Sequence, residues 1–206
     1  MTIEFEPGGC YHYGMRALFR FIAIASLCCL AACGPKKAFH ATDVSGAMPD
    51  LSFRMVRASD GLKVSQDDYR GRVVLLYFGY THCPDICPTT LSNLADVLKR
   101  LGPEADKVRV LFVSVDPDRD RLDVLKPFAE AFAPQVDALR GSDNAIADLA
   151  RRYRIAYSVK KSPDYVVTHT SAVIVFDDTG RARLVTTDTN DTAAVTEDVK
   201  RVANGE

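Results

Sequence analysis

Two cysteines separated by three residues are the most reactive feature of the chain. Cys83 and Cys87 follow an apolar, strand-like segment that ends at Tyr80, and Pro88 comes directly after the second cysteine. Two soft thiols at the start of a helix can exchange electrons as a disulfide, or they can hold a soft metal ion. The function of the protein depends on which of these two reactions the pair performs.

The proline after the cysteines predicts where the thiols lie. Proline suits the first turn of a helix, because its missing N–H has no partner there. We therefore expect a helix to open at Pro88, with Cys87 at or beside its N-cap and Cys83 in the preceding loop. Unpaired N–H groups at a helix start favour a thiolate by about 0.3–1 kcal/mol. A thiolate is a good nucleophile and a good ligand, so this position is compatible with either reaction.

The spacing of the thiols is wider than the usual Cys-x-x-Cys of thioredoxin-like redox proteins. Pro84, Asp85 and Ile86 separate them. A wider loop suits two metal–sulfur bonds of ~2.3 Å to one ion. A disulfide requires the two sulfurs at ~2.05 Å and remains possible with a less standard loop. Spacing alone therefore favours a metal only slightly.

Three histidines are candidates for a third ligand. His40 lies in a linker-like stretch and is expected to be solvated. His82 adjoins Cys83, and neighbouring side chains diverge in an extended chain, so we expect it beside the site or at the surface. His169 interrupts an apolar strand segment, where it is either a buried core histidine or a ligand. Two thiolates and one imidazole would suit Cu(I) and could bind Cu(II), whereas a structural zinc site needs a fourth ligand.

The N-terminal residues have the pattern of an export signal. From Met15, two arginines precede an apolar run that extends to Ala32 and is shorter than the ~20 residues of a membrane span. We predict a lipoprotein-type signal peptide over residues 1–32, in which residues 1–14 are a mis-annotated extension. The run closes in Leu-Ala-Ala-Cys, which resembles the bacterial lipoprotein box and predicts lipidation of Cys33. Several acyl chains on that residue would anchor the domain to a membrane.

Removal of this leader sets the domain organisation and the cysteine count. We predict a lipidated tether over residues 33–50 and one domain of ordinary size over residues 51–206. Of six cysteines, only Cys83 and Cys87 then remain free in the exported domain, which excludes a disulfide-stapled scaffold. The net charge of −1 and the lack of a basic tract argue against a nucleic-acid partner.

Hydrophobic patterns predict an α/β fold around a central mixed β-sheet. Continuous apolar runs at residues 72–78 and 108–115 are typical of strands buried on both faces. Alternation at residues 52–64 predicts an N-terminal hairpin. Strand–helix–strand crossovers give parallel neighbours, and a final hairpin gives antiparallel ones. Sites in such sheets gather at the carboxyl ends of strands, where the two cysteines lie.

Two later segments complete the prediction. The residues from Val166 to Phe176 are predicted as one strand that is broken around His169. The acidic loop that contains Asp116, Asp118 and Asp120 is expected to be solvated and to cap the helix after it.

Three motifs in order along the chain resemble the Sco/SenC family. They are Tyr-Phe-Gly-Tyr-Thr-His-Cys-Pro-Asp-Ile-Cys-Pro at residues 77–88, Val-Ser-Val-Asp-Pro-Asp-Arg-Asp at residues 113–120, and Asp-Tyr-Val-Val-Thr-His-Thr at residues 164–170. Proteins of this family help to assemble cytochrome c oxidase. The resemblance implies a thioredoxin-like fold and a membrane-tethered domain outside the cytoplasm. One position departs from the family, which usually has Asp where this chain has Thr168, and the loss of that charge puts copper affinity and redox poise in doubt.

The same resemblance implies that Cys83, Cys87 and His169 bind copper. The expected function is a copper chaperone that receives copper from an upstream donor and delivers it to the CuA-bearing subunit of cytochrome c oxidase. The expected location is the bacterial cell envelope, with a lipid anchor in the membrane and the domain in the periplasm.

Two enzyme functions remain as alternatives. A thiol–disulfide reductase would attack with Cys83 and resolve with Cys87, and would keep the CuA cysteines of the oxidase reduced, with His169 as a bystander. A peroxide-scavenging thiol enzyme of the peroxiredoxin type is the weaker alternative. The chaperone hypothesis requires the imidazole of His169 to lie within bonding reach of an ion held by the two sulfurs.

Overall fold

The computed structural model describes Thr2 and residues 37–206, and a compact unit spans Phe39–Glu206. The predicted signal peptide and the predicted lipidation site at Cys33 lie outside the described residues. No helix in the described part of the chain is long and apolar enough to cross a bilayer.

Ten strands and four α-helices are found in the described residues. The strands are β1 (Thr42–Asp43), β2 (Arg54–Arg57), β3 (Lys63–Ser65), β4 (Val73–Gly79), β5 (Val108–Ser114), β6 (Val136–Arg140), β7 (Tyr157–Lys160), β8 (Val166–His169), β9 (Val173–Phe176) and β10 (Ala182–Thr186). The helices are α1 (Ile86–Leu101), α2 (Leu122–Glu130), α3 (Asp143–Arg152) and α4 (Thr192–Ala203). Eight strands form the central sheet in the order β1-β10-β9-β4-β5-β6-β2-β3, and β7 pairs with β8 in a separate sheet.

The middle of the central sheet is parallel and apolar. β4 pairs in parallel with β5 and β5 with β6, whereas the other pairs of this sheet are antiparallel. Every residue of β4 is buried, as its continuous apolar run predicts. The register places Gly79 beside Ser114, so the loops after β4 and β5 leave the sheet side by side. The predicted mixed sheet with an N-terminal hairpin, here β2 and β3, is confirmed.

The strand predictions need correction at two places, at the short strands and at the segment around His169. β6 and β7 have no counterpart in the sequence prediction, because segments of five and four residues are too short to give a clear hydrophobic pattern. The single strand expected from Val166 to Phe176 is instead two strands in different sheets, since β8 pairs with β7 and β9 pairs with β4 and β10. The interruption at His169 therefore marks the point where the chain passes from one sheet to the other.

The compact unit begins before the predicted boundary at residue 51. β1 pairs with β10, at the edge of the central sheet. The carboxylate of Asp198, which is buried on α4, accepts hydrogen bonds from the backbone N–H of His40 at 3.0 Å and of Ala41 at 2.7 Å. These contacts secure residues 39–43 to the domain, although the sequence predicted them as tether.

Candidate metal site

The two cysteines lie where β4 passes into α1. β4 ends at Gly79, and α1 begins at Ile86 rather than at Pro88, with Asp85 as its N-cap residue. Cys87 is therefore inside the first helical turn, and Cys83 is in the loop before it. The backbone N–H of Cys87 points at the sulfur of Cys83, with an N···Sγ distance of 3.4 Å. At least one free N–H group of the helix start, that of Cys87, is therefore directed at Cys83, and the sequence did not indicate which of the two thiols would receive it.

The two thiols have opposite pKa shifts. Burial disfavours the charged form of Cys83, but hydrogen bonds from the backbone N–H groups of Cys87 and Asp85 outweigh it and lower the pKa of this thiol. Burial dominates at Cys87 and raises its pKa to about 12. Cys83 is 9% exposed, whereas Cys87 is fully buried. In the metal-free protein Cys83 is therefore the thiol that ionises and reacts first.

His169 brings an imidazole to this pair from the end of β8. Its Nε2 lies 3.1 Å from the sulfur of Cys87. Its Nδ1 lies 3.1 Å from the carbonyl oxygen of Thr170, which can only accept, so the proton is assigned to Nδ1 and the lone pair of Nε2 faces the sulfur. Burial lowers the pKa of His169, which keeps the imidazole neutral at neutral pH. Tyr77 and Tyr80 meet the ring edge-on at centroid distances of 6.0 and 5.8 Å.

The three donor atoms are close enough to share one ion. The sulfurs of Cys83 and Cys87 and a ring nitrogen of His169 all lie within 4.8 Å of one another. Metal–sulfur bonds of ~2.3 Å and metal–nitrogen bonds of ~2.0 Å span such separations from a central position. Two thiolates and a neutral imidazole are soft donors, which select Cu(I) over hard cations. In the described residues no histidine, cysteine or carboxylate joins this group as a fourth ligand. The group therefore lacks the four protein ligands of a structural zinc site.

Gly79 leaves the space that the buried sulfur occupies. A Cβ at this position would come within 2.8 Å of the Cys87 sulfur and 2.6 Å of the Phe112 ring. Real Cβ atoms do not approach so closely, and neither the packed ring nor the helix can move away freely. Only glycine at this position allows Cys87 to lie directly on the end of β4.

Gly79→Ala is therefore expected to destabilise the fold by about 1–3 kcal/mol and to displace Cys87. Urea unfolding measures the first effect, and a Cu(I) competition titration measures the second. Gly141→Ala is the matched control, because its added Cβ would meet only side-chain atoms, at 3.2 Å or more. Equal stability and equal copper affinity of the two variants would contradict this role of Gly79.

The other two histidines lie away from the thiols. The side chain of His82 is 52% exposed, and its Nδ1 lies 3.1 Å from the hydroxyl of Thr81. His40 rests against α4, with Nε2 3.3 Å from a carboxylate oxygen of Glu197. Neither belongs to the group of converging donors, which agrees with their expected placement beside the site or in solvent.

The acidic loop after β5 is not solvated as expected. Asp116 and Asp120 are fully buried, and only Asp118 has an exposed side chain. The carboxylate of Asp120 accepts hydrogen bonds from the backbone N–H of Thr81 at 3.0 Å, from its hydroxyl at 2.6 Å and from the hydroxyl of Ser114 at 2.6 Å. Asp120 therefore joins the end of β5 to the loop that carries the cysteines. A run of alternating aspartates resembles a surface turn, so the sequence predicted a solvated loop. The signal that could have indicated the role of Asp120 is that this loop follows β5, the strand that pairs with β4.

The sequence and the fold are both similar to those of known proteins. The sequence model of the family described as SCO1/SenC matches residues 46–204, well over half of the chain. The chain belongs to the SCO1/SenC family. Copper-bound ScoI of Bradyrhizobium japonicum is 33% identical, with a TM-score of 0.67 over 74% of this chain and 98% of that one. BsSco, described as a member of the Sco family of cytochrome c oxidase assembly proteins with a disulfide switch, is 26% identical, with a TM-score of 0.63 over 84% of this chain and 100% of that one.

Curated SCO1/SenC relatives match a smaller part of the chain. The mitochondrial SCO2 homologue of Mus musculus is 39% identical over 118 residues, which are 55% of this chain and 46% of that protein. The chain thus spans about half the length of the curated relatives it matches. The solved SCO1/SenC structures confirm the thioredoxin-like fold that the sequence motifs implied.

Thr168, which stands where the SCO1/SenC family usually has Asp, faces away from the sulfurs. Along β8 the side chains alternate, so Thr168 is exposed while Val167 and His169 turn inward. The Thr168 hydroxyl lies 2.9 Å from that of Ser158 on the outer face of the hairpin. The missing carboxylate is therefore on the opposite face of the strand from the donor group, and its absence does not remove a contact to His169.

Thr168→Asp is accordingly expected to leave Cu(I) affinity unchanged and to alter the free energy of unfolding by less than about 0.5 kcal/mol. Chelator competition and urea unfolding measure these two quantities. A marked rise in copper affinity in the variant would show that a carboxylate at this position does act on the site.

Proposed function

We propose that this protein is a copper chaperone, which binds copper through the sulfurs of Cys83 and Cys87 and the Nε2 of His169. The observation that carries the proposal is the convergence of these three soft donors within 4.8 Å, although the histidine lies 82 residues after Cys87. Copper is the cargo, not a permanent cofactor. The copper-bound ScoI from Bradyrhizobium japonicum supports the choice of metal.

Transfer by ligand exchange fits the unequal exposure of the donors. Cys83 is the more exposed sulfur and has the lowered pKa, so a thiolate of the acceptor can displace it first. Cys87 and His169 then release the ion in turn, as further acceptor ligands bind it. Both thiols must be reduced for this sequence, and a disulfide between them is the inactive form. We propose the CuA-bearing subunit of cytochrome c oxidase as the acceptor, with a separate upstream copper donor.

The proposed location is the bacterial cell envelope. The signal pattern over residues 1–32 and the cysteine at position 33 favour a lipid anchor, with the domain in the periplasm. Globomycin treatment, which blocks lipoprotein signal cleavage, should cause an unprocessed form of the protein to accumulate. A Cys33→Ser variant should leave the membrane fraction. Retention of that variant in the membrane would contradict lipidation at Cys33.

A thiol–disulfide reductase is the second candidate function, and the opposite pKa shifts of the two thiols favour it. The Cys83 thiolate would attack a client disulfide and form a mixed disulfide, with release of one client thiol. Cys87 would then attack Cys83, release the second client thiol and leave a Cys83–Cys87 disulfide. An external dithiol must supply two electrons to reset the pair. The disulfide switch described for the similar protein BsSco supports this alternative.

One comparison separates the two functions. In a strain that lacks this protein, His169→Ala should fail to restore the CuA centre if copper delivery is the function, because reduction of client disulfides does not need the imidazole. The control is Cys87→Ser, which should fail under both functions. Full restoration by His169→Ala would favour the reductase over the chaperone.

A further inference from the structure

His169 reaches the cysteines from a hairpin that is not part of the central sheet. β7 and β8 pair with each other in antiparallel register, with Tyr157 opposite His169. The hydroxyl of Tyr80 donates a long hydrogen bond of 3.4 Å to the carbonyl of Val167. Among the described strands, no ladder joins this hairpin to the central sheet, so side-chain contacts add to the short link between His169 and β9 in holding the imidazole near the sulfurs.

A buried carboxylate makes the strongest of these contacts. Asp116, two residues after the end of β5, is fully buried. It accepts a hydrogen bond of 2.5 Å from the hydroxyl of Tyr165 and another of 2.5 Å from Nε of Arg119. The guanidinium carbon of Arg119 also lies 3.9 Å from the centroid of the Tyr165 ring. Hydrogen bonds to a buried charge are among the strongest in proteins, so Tyr165 is firmly held.

Tyr165 is connected directly to the strand that ends in His169. It immediately precedes β8. Burial, together with the hydrogen bond to Asp116, raises the pKa of Tyr165 to about 12, so its hydroxyl remains a donor at neutral pH. Neither Tyr165 nor Asp116 is among the converging donors of the metal site. Their direct structural link to the donor group runs through the hairpin that carries His169.

We propose that Asp116, Arg119 and Tyr165 form a clamp that holds the β7–β8 hairpin over the cysteines and so keeps His169 in place as the third donor. They are positioning residues, and the inference rests on the proposed copper site. An apparent dissociation constant equals the intrinsic constant divided by the fraction of molecules in the binding-competent state. Loosening the clamp therefore weakens copper binding without changing the ligand set.

Metal-free protein provides the first test. Tyr165→Phe removes the hydroxyl and retains the ring beside Arg119. Hydrogen–deuterium exchange in residues 157–169 is expected to become about tenfold faster in this variant, because a charge-assisted hydrogen bond no longer opposes opening. Exchange in β4 should stay at the wild-type rate, which shows that the fold is intact. If Tyr165→Phe fails to fold, Arg119→Met is the second variant to test, because it removes the other hydrogen-bond donor to Asp116.

The chain offers a matched control on the same hairpin. Lys161 forms an ion pair with Asp118, and both side chains are more than half exposed. Exposed ion pairs contribute little to stability, so Lys161→Met should exchange like the wild type. Equal exchange rates in Tyr165→Phe and Lys161→Met would overturn the clamp.

Copper binding provides the second test, as a double-mutant cycle with His169→Ala. Tyr165→Phe should weaken Cu(I) binding about tenfold in the wild-type background and have no further effect in the His169→Ala background, because the hairpin then carries no donor. The Cu(II) spectrum at saturation should stay as in the wild type. A loss of equal size in both backgrounds would mean that Tyr165 acts through the cysteines or the fold, and would overturn the proposal.

The cycle also separates the clamp from the proposed function. Wild-type affinity in His169→Ala alone would refute the three-donor copper site. In that case the metal-free exchange experiment still decides whether Asp116, Arg119 and Tyr165 hold the hairpin.

Discussion

Cys87→Ser is expected to abolish tight Cu(I) binding. Cys87 is a fully buried member of the donor group, with its sulfur 3.1 Å from Nε2 of His169. Serine has a similar shape, but its oxygen is a hard donor that Cu(I) does not prefer. Loss of contacts outside the ligand shell of a metal site already costs about 10–100-fold in affinity, so loss of a ligand should cost more than about hundredfold.

Competition with a Cu(I) chelator measures this loss, and circular dichroism with thermal unfolding checks that Cys87→Ser remains folded. The same variant cannot form the Cys83–Cys87 disulfide, so alkylation should trap one free thiol under oxidising conditions. Near wild-type copper affinity in a folded variant would contradict the assignment of Cys87 as a ligand.

His169→Ala is expected to weaken Cu(I) binding by more than about hundredfold while leaving the thiol chemistry in place. The imidazole is neutral and its Nε2 already faces the sulfur of Cys87, so little reorganisation is needed for binding. Two thiolates alone form a poorer site, because the third soft donor is lost. The disulfide of the variant should still form and still be reduced by a dithiol.

The matched control for this variant is His82→Ala. His82 adjoins Cys83 in sequence, but its ring lies beside Thr81 and is half-exposed. Its removal should leave copper affinity unchanged. Equal losses of Cu(I) affinity in the two variants would indicate a nonspecific effect of removing a histidine near the thiols. Unchanged Cu(I) affinity in His169→Ala would contradict the assignment of His169 as a ligand.

The sequence predicted the ligand-bearing elements well where hydrophobic patterns were long. The continuous apolar runs of β4 and β5 identified two central strands whose carboxyl ends carry the cysteines and the acidic loop. His169 could be linked to the cysteines only through motif resemblance, because no local pattern reveals that β8 leaves the central sheet. Long-range convergence of this kind depends on tertiary packing, which single-sequence periodicity does not contain.

Local details of the site were harder to predict. Pro88 indicated a helix start, but the helix begins at Ile86, so Cys87 lies inside its first turn and the backbone N–H of Cys87 points at the sulfur of Cys83. Element boundaries inferred from sequence commonly differ from the observed ones by this amount, and the sequence carries no signal for the burial that separates the two thiols. The burial of Asp116 was missed for another reason, since its partners Arg119 and Tyr165 are recognisable only once the hairpin is in place.

X-ray absorption at the copper edge of the reduced, Cu(I)-loaded protein tests the central claim most directly. The account predicts two sulfur ligands at ~2.3 Å and one nitrogen ligand, with the nitrogen lost in His169→Ala. A spectrum with two sulfurs and no nitrogen, identical in the wild type and the variant, would contradict the three-donor site and leave thiol–disulfide exchange as the function of the cysteine pair.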